Sequence, residues 1–243
     1  MAASPGKGPP AAQKKRTAWV LLGVSLLTTV ALLFVPYGHY IAYPLLLLST
    51  LAHELGHGIA GVLVGGHFQQ FVMFADGSGY ARVEGIDGRL ARGVLAAGGL
   101  VGPAMASAAG FWFSHRPARA RGFLLALSAM LLLALVLVVR NLFGLAFIGA
   151  TATCLGVIAL RATPRVSQFT VVFLSVQLAL SVFTRSDYLF VKEARTAVGT
   201  SPSDVSAMAD ALVLPYWFWG AACGLFSLAI LAVGLRSFLR NAR

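Results

Sequence analysis

Apolar residues in this chain come in runs long enough to cross a bilayer, separated by short breaks that hold Arg, Pro or Gly. A membrane helix needs about 20 largely apolar residues, because in hydrocarbon its backbone polar groups must all be satisfied internally. Runs of this kind lie at about 18–36, 41–64, 93–114, 122–139, 142–160, 166–184 and 215–235. They predict an all-α polytopic membrane protein with six or seven transmembrane helices. The first run is longer than a signal-peptide core and lacks a small-residue cleavage site before Pro36, so a retained helix is expected.

One segment breaks the helical pattern. After Gly65-Gly66 stops the second run, residues 67–84 read as two extended stretches around Ala75-Asp76-Gly77-Ser78-Gly79, which predicts a small β-hairpin after the second span. The expected organisation is a disordered basic tail (1–17), a transmembrane core including the hairpin (18–184), a polar connecting segment (185–213) and a last transmembrane helix with a basic end (214–243).

Composition agrees with the bilayer reading: 58% of residues are hydrophobic, 11% are charged, and the mean hydropathy is +0.80. That excludes a sizeable soluble domain. The net charge of +11 does not point to nucleic acid, because Lys and Arg flank apolar runs instead of lining one amphipathic face. They read as topology signals and headgroup anchors. With Lys14-Lys15-Arg16 before the first span, the amino terminus is expected in the cytoplasm and the chain in the cell membrane. Cys154 and Cys223 match no metal spacing and are expected as free, buried thiols. Trp217 and Trp219 read as an interfacial aromatic belt.

Within the second run stands His53-Glu54-Leu55-Gly56-His57. On a helix, residues four apart share a face, so His53 and His57 can aim imidazole nitrogens at one ion while Glu54 reaches a water beside it. This pattern predicts zinc hydrolysis, with the metal bringing the pKa of water toward ~7 and Glu54 moving the proton. Each ionisable group deep in a span costs roughly 2.5–3.5 kcal/mol on insertion scales, so three of them in one apolar run argue for a use. The plainer reading is a polar cluster that only hydrogen-bonds neighbouring helices.

These residues, the hairpin at 67–84 and the stretch Ala97-Gly98-Gly99-Leu100-Val101-Gly102-Pro103 together resemble the site-2 protease family of intramembrane zinc metallopeptidases, in its short B-like branch. The resemblance implies His53 and His57 as zinc ligands, Glu54 as the catalytic base and a membrane-protein substrate. It also implies that Arg140-Asn141-Leu142 begins a later element in which Asn141 binds substrate backbone. The family's third ligand is an aspartate eight residues further on, where this chain has Gly149. Asp187, which follows a span, and Asp204, in a Ser-Asp phrase similar to one of the B-like branch, are the candidate replacements. For either, a solvated loop charge or a helix cap at Ser203 or Asp204 is the simpler explanation.

The leading expectation is therefore an intramembrane zinc endopeptidase. Gly149 motivates an alternative, a catalytically inactive pseudoprotease that binds membrane partners. A small metal or proton transporter ranks below both, because no internal repeat is visible. Substrate and oligomeric state are not legible.

Overall fold

The computed structural model describes residues 11–184, 189–197 and 199–241. In chain order they form α1 (Ala11–Phe34), α2 (Gly38–Leu63), β1 (His67–Met73), β2 (Gly79–Glu84), α3 (Arg89–Ser114), α4 (Pro117–Leu137), α5 (Leu142–Arg161), α6 (Pro164–Thr184), β3 (Glu193–Thr196), β4 (Gly199–Pro202), α7 (Asp204–Leu212) and α8 (Tyr216–Asn241). Among the described residues six helices, α2 to α6 and α8, are long and apolar enough to cross a membrane. The first run also forms a helix, α1, but its apolar stretch, Arg16–Leu32, is shorter than the other six.

The outward faces of these helices carry large apolar side chains, such as Leu133 and Val136 on α4 and Leu142 and Leu160 on α5. In water such patches would drive association; in a bilayer they are the lipid-facing surface. This corrects the expectation for Cys154, which is free but exposed on α5, whereas Cys223 is free and buried. An apolar run does not distinguish a lipid-facing position from a protein-facing one.

The centre of the bundle is the contact between α2 and α3, and small residues set its closeness. A Cβ on Gly56 would lie 2.2 Å from the Gly98 carbonyl oxygen, and one on Gly102 would lie 2.5 Å from that of Ala52. The two backbones therefore touch where HELGH lies, as the small-residue stretch at 97–103 leads one to expect. On the other side of α2, Leu47, Leu51 and Leu55 pack with Leu124 and Leu131 of α4, Ile148 of α5 and Val171 of α6.

The first hairpin is folded into the bundle. β1 and β2 pair antiparallel from His67 opposite Glu84 to Met73 opposite Gly79, with an irregularity between Phe68 and Gln70. Phe71 and Met73 are completely buried among the helices, each worth about 1.5–3 kcal/mol of apolar burial. The turn is pinned to α2, because the Tyr43 hydroxyl donates to the Ala75 carbonyl at 2.6 Å and the Thr50 hydroxyl to that of Gly77 at 2.6 Å. Within it the Ser78 N–H and hydroxyl donate to Asp76 at 2.9 and 2.7 Å, holding that carboxyl below the usual carboxylate range.

The outer edge of β1 is already occupied. The Phe71 N–H donates to the Val138 carbonyl at 2.7 Å, and the Arg140 N–H donates to the Phe71 carbonyl at 3.0 Å. The polar segment contains a second hairpin that the pattern of residues did not predict, with β3 and β4 paired from Glu193 opposite Pro202 to Thr196 opposite Gly199. Its far end leans on the first hairpin, where the Ala197 N–H donates to the Ser78 hydroxyl at 3.2 Å.

Candidate metal centre

His53 and His57 sit one turn apart on α2, and their Nε2 atoms are 3.2 Å from each other. Asp204, the first residue of α7, reaches both: Oδ2 is 3.0 Å from His53 Nε2, and Oδ1 is 3.3 Å from His57 Nε2. The three form a cluster that can hold a metal ion, with ligand atoms all within 4.8 Å of one another. Donors about 2.1 Å from a tetrahedral zinc lie about 3.4 Å apart, so the separations of these three side chains would suit that ion.

The shell around the cluster supports the same use. His57 Nδ1 lies 2.8 Å from the Leu95 carbonyl oxygen. A carbonyl only accepts, so Nδ1 carries a proton, and Nε2 is the nitrogen turned toward Asp204 and His53, the arrangement that orients a metal-binding imidazole. Gly99 of α3 leaves room for that ring, since a Cβ there would lie 2.2 Å from His57 Nε2. Glu54 is buried, and the absence of a side chain at Gly79 accommodates it; a Cβ there would sit 3.2 Å from Glu54 Cγ.

Asp204 is delivered by the residues before it. The Ser203 hydroxyl donates to the Val191 carbonyl at 2.6 Å and accepts from the Ser206 N–H at 3.3 Å, capping α7. The Ser203 N–H and the Ser206 hydroxyl both donate to the Lys192 carbonyl, at 3.0 and 2.8 Å. Cap and carboxylate are thus divided between neighbours: Ser203 caps the start of the helix, and Asp204 faces the histidines. Burial opposes the charge of Asp204, but His57 and His53, when protonated, outweigh it and hold the carboxyl well below the usual carboxylate range.

The remaining expected site residues fall elsewhere. Asp187 lies outside the described residues. Gly149 is on α5, none of whose residues lines the cavity at the cluster, and its nearest neighbour is Leu135 of α4. An acid at 149 would face α4 and not the histidines. Asn141 is also outside that cavity. Its side-chain amide donates to the Met73 carbonyl at 2.6 Å and its oxygen accepts from the Met73 N–H at 3.3 Å, continuing the edge pairing of β1.

Asn141→Ala is expected to leave two backbone groups of Met73 without partners and to destabilise the fold by about 1–3 kcal/mol. Thermal unfolding in detergent checks this. An unchanged transition with impaired substrate binding would instead favour the substrate-contact role.

The cluster opens into a cavity of about 870 Å³ that also takes in Glu54, Gly79 to Ala81 of β2, the face of α3 from Arg89 to Pro103, and residues of β3 and β4. A family model described as Peptidase M50B-like matches residues 24–234, a stretch that includes His53, Glu54, His57 and Asp204. No curated protein and no solved structure matches the chain.

Proposed function

The chain belongs to the Peptidase M50B-like family, and from that premise we propose that it is an integral membrane zinc endopeptidase hydrolysing peptide bonds of membrane-embedded or juxtamembrane substrates. The observation that carries this reading is the convergence of His53, His57 and Asp204 at 3.0 to 3.3 Å beside a buried glutamate, in a cavity walled by apolar helices. Zinc held by those three side chains supplies a Lewis acid that polarises a peptide carbonyl and brings the pKa of water toward ~7.

The chain's own residues do the rest. Glu54 accepts a proton from the attacking water and returns it to the leaving amine. The Leu95 carbonyl keeps His57 in the tautomer that offers Nε2. A helical substrate has no backbone free for attack, so it must enter extended; β1 is closed by Val138–Asn141, which leaves the edge of β2, along the cavity, to pair with it. The orientation that goes with this reading is a cell membrane protein with its basic amino-terminal tail in the cytoplasm. The alternative of a binding-only pseudoprotease rested on Gly149, and Asp204 supplies a carboxylate from another element.

Purified full-length protein is expected to hold about one zinc per chain, as a three-ligand site with an open position does. Stripping the metal with a chelator should stop cleavage of a library of membrane-protein peptides, and added zinc should restore it. Cleavage that survives complete metal removal, or a zinc-loaded protein that leaves every peptide intact, overturns the proposal.

A further inference from the structure

The cavity has a charged rim as well as a metal centre. Arg89, Arg92 and Arg195 all line it, the first two from the outer turns of α3 and the third from β3 on the facing side. Arg89 and Arg92 are three residues apart and lie on the same helix face as Leu95 and Ala96, which line the cavity deeper in. The Arg89 Nε donates to the Ala211 carbonyl at 2.6 Å, which holds that side chain across the gap to α7. Arg92 and Arg195 make no side-chain hydrogen bond or ion pair with the described residues, and both are exposed to the cavity mouth. Among the described residues, the acidic lining apart from Glu54 and Asp204 is Asp210 alone. The described residues of the rim therefore carry three arginines against one aspartate, and apolar walls around a charged cleft strengthen its field.

We propose that this rim is a specificity subsite for a carboxylate on the substrate, so that the enzyme prefers peptides carrying Asp or Glu a few residues from the bond it cuts. The inference rests on the peptidase reading of the cavity. Distance sets the expected position. Gly99 abuts His57, and Arg92 lies two turns before it, about 10 Å along α3 at 1.5 Å per residue. An extended peptide advances about 3.3 Å per residue, so Arg92 meets a side chain about three residues from the reacting bond. Guanidinium groups suit this task because their planar donor fork matches a carboxylate. Arg195, approaching from β3, can close on the same group from the other side.

The test uses full-length, zinc-loaded Glu54→Gln protein in neutral detergent, which holds peptide without cutting it. Apolar peptides with an uncharged fluorophore, each paired as a glutamate version and a glutamine version, are titrated by fluorescence anisotropy. The glutamate member is expected to bind about tenfold tighter, the scale of one charge-assisted contact, with the gap narrowing as salt rises. In the Arg92→Gln, Arg195→Gln double variant the ratio should fall to about one, while Arg92→Lys, Arg195→Lys keeps part of it, and zinc content reports that both variants are folded. Equal affinity for the two peptides, or a ratio unchanged in the double glutamine variant, overturns the proposal. So does displacement of the glutamate peptide by phosphatidylglycerol vesicles, which would assign the rim to lipid headgroups. Because binding is read without turnover, failure of the native protein to cleave leaves this result standing, and active cleavage with equal affinities removes the acid preference alone.

Discussion

Asp204→Ala is expected to lower zinc affinity by more than about a hundredfold and to abolish cleavage. Removing even an outer-shell partner of a metal ligand costs about 10–100-fold, and Asp204 is itself one of the three side chains of the cluster. Its oxygens lie 3.0 and 3.3 Å from the two imidazoles, so the variant leaves His53 and His57 as the only donors of the cluster. Two protein ligands do not make a catalytic zinc site. The Ser203 cap remains, with its bonds to Val191 and Ser206, so α7 should keep its place and the loss should be confined to the metal. Adding Gly149→Asp to this variant should not restore zinc, because position 149 faces Leu135 of α4. A carboxylate placed there also carries the cost of a charge in a span, roughly 2.5–3.5 kcal/mol on insertion scales. Metal analysis of the single and double variants is the check; zinc retained by the single variant, or regained by the double, would show that the acid comes from elsewhere.

How far the sequence led can be judged at that site. His53, Glu54 and His57 are readable because a helix makes spacing into geometry: four residues fix which side chains share a face, whatever else the chain does. The spans and the first hairpin are readable for a similar reason, since runs, alternation and Gly-rich turns are local signals. Asp204 is not readable in that way. It stands 147 positions after His57, and what brings it back is the packing of α7 on α3 with the clamp of Ser203 and Ser206 on Lys192. The only signal was the Ser-Asp phrase, for which a helix cap was the simpler explanation; Ser203 is that cap, and Asp204 beside it faces the two histidines. The second hairpin was missed because Glu193–Thr196 and Gly199–Pro202 are short, polar and mostly exposed, with no buried face to impose alternation. Asn141 shows a different limit. Its motif points toward substrate, yet both ends of its amide are taken by Met73, a pairing that only the fold of β1 against the α4–α5 connection creates.

Glu54→Gln should separate metal binding from chemistry. Loss of a positioned acid–base group typically lowers the rate by 10²–10⁴-fold, and that range is expected here for kcat. Zinc content should stay at the native level, because Glu54 is not part of the His53, His57 and Asp204 cluster. Glutamine keeps the size of the side chain, so the tight fit against Gly79, where a Cβ would lie 3.2 Å from Glu54 Cγ, is preserved. The fold should not suffer either. Glu54 is only 7% exposed, and a buried carboxylate is held at a desolvation cost that a neutral amide avoids, so the unfolding temperature should stay level or rise. Together these three readouts distinguish a catalytic role from a structural one. A structural glutamate would lower stability or zinc content along with activity, whereas a proton carrier loses rate alone. If the variant keeps more than about a tenth of the native rate, below the smallest loss expected for a general base, the proton must pass through another group of the cavity.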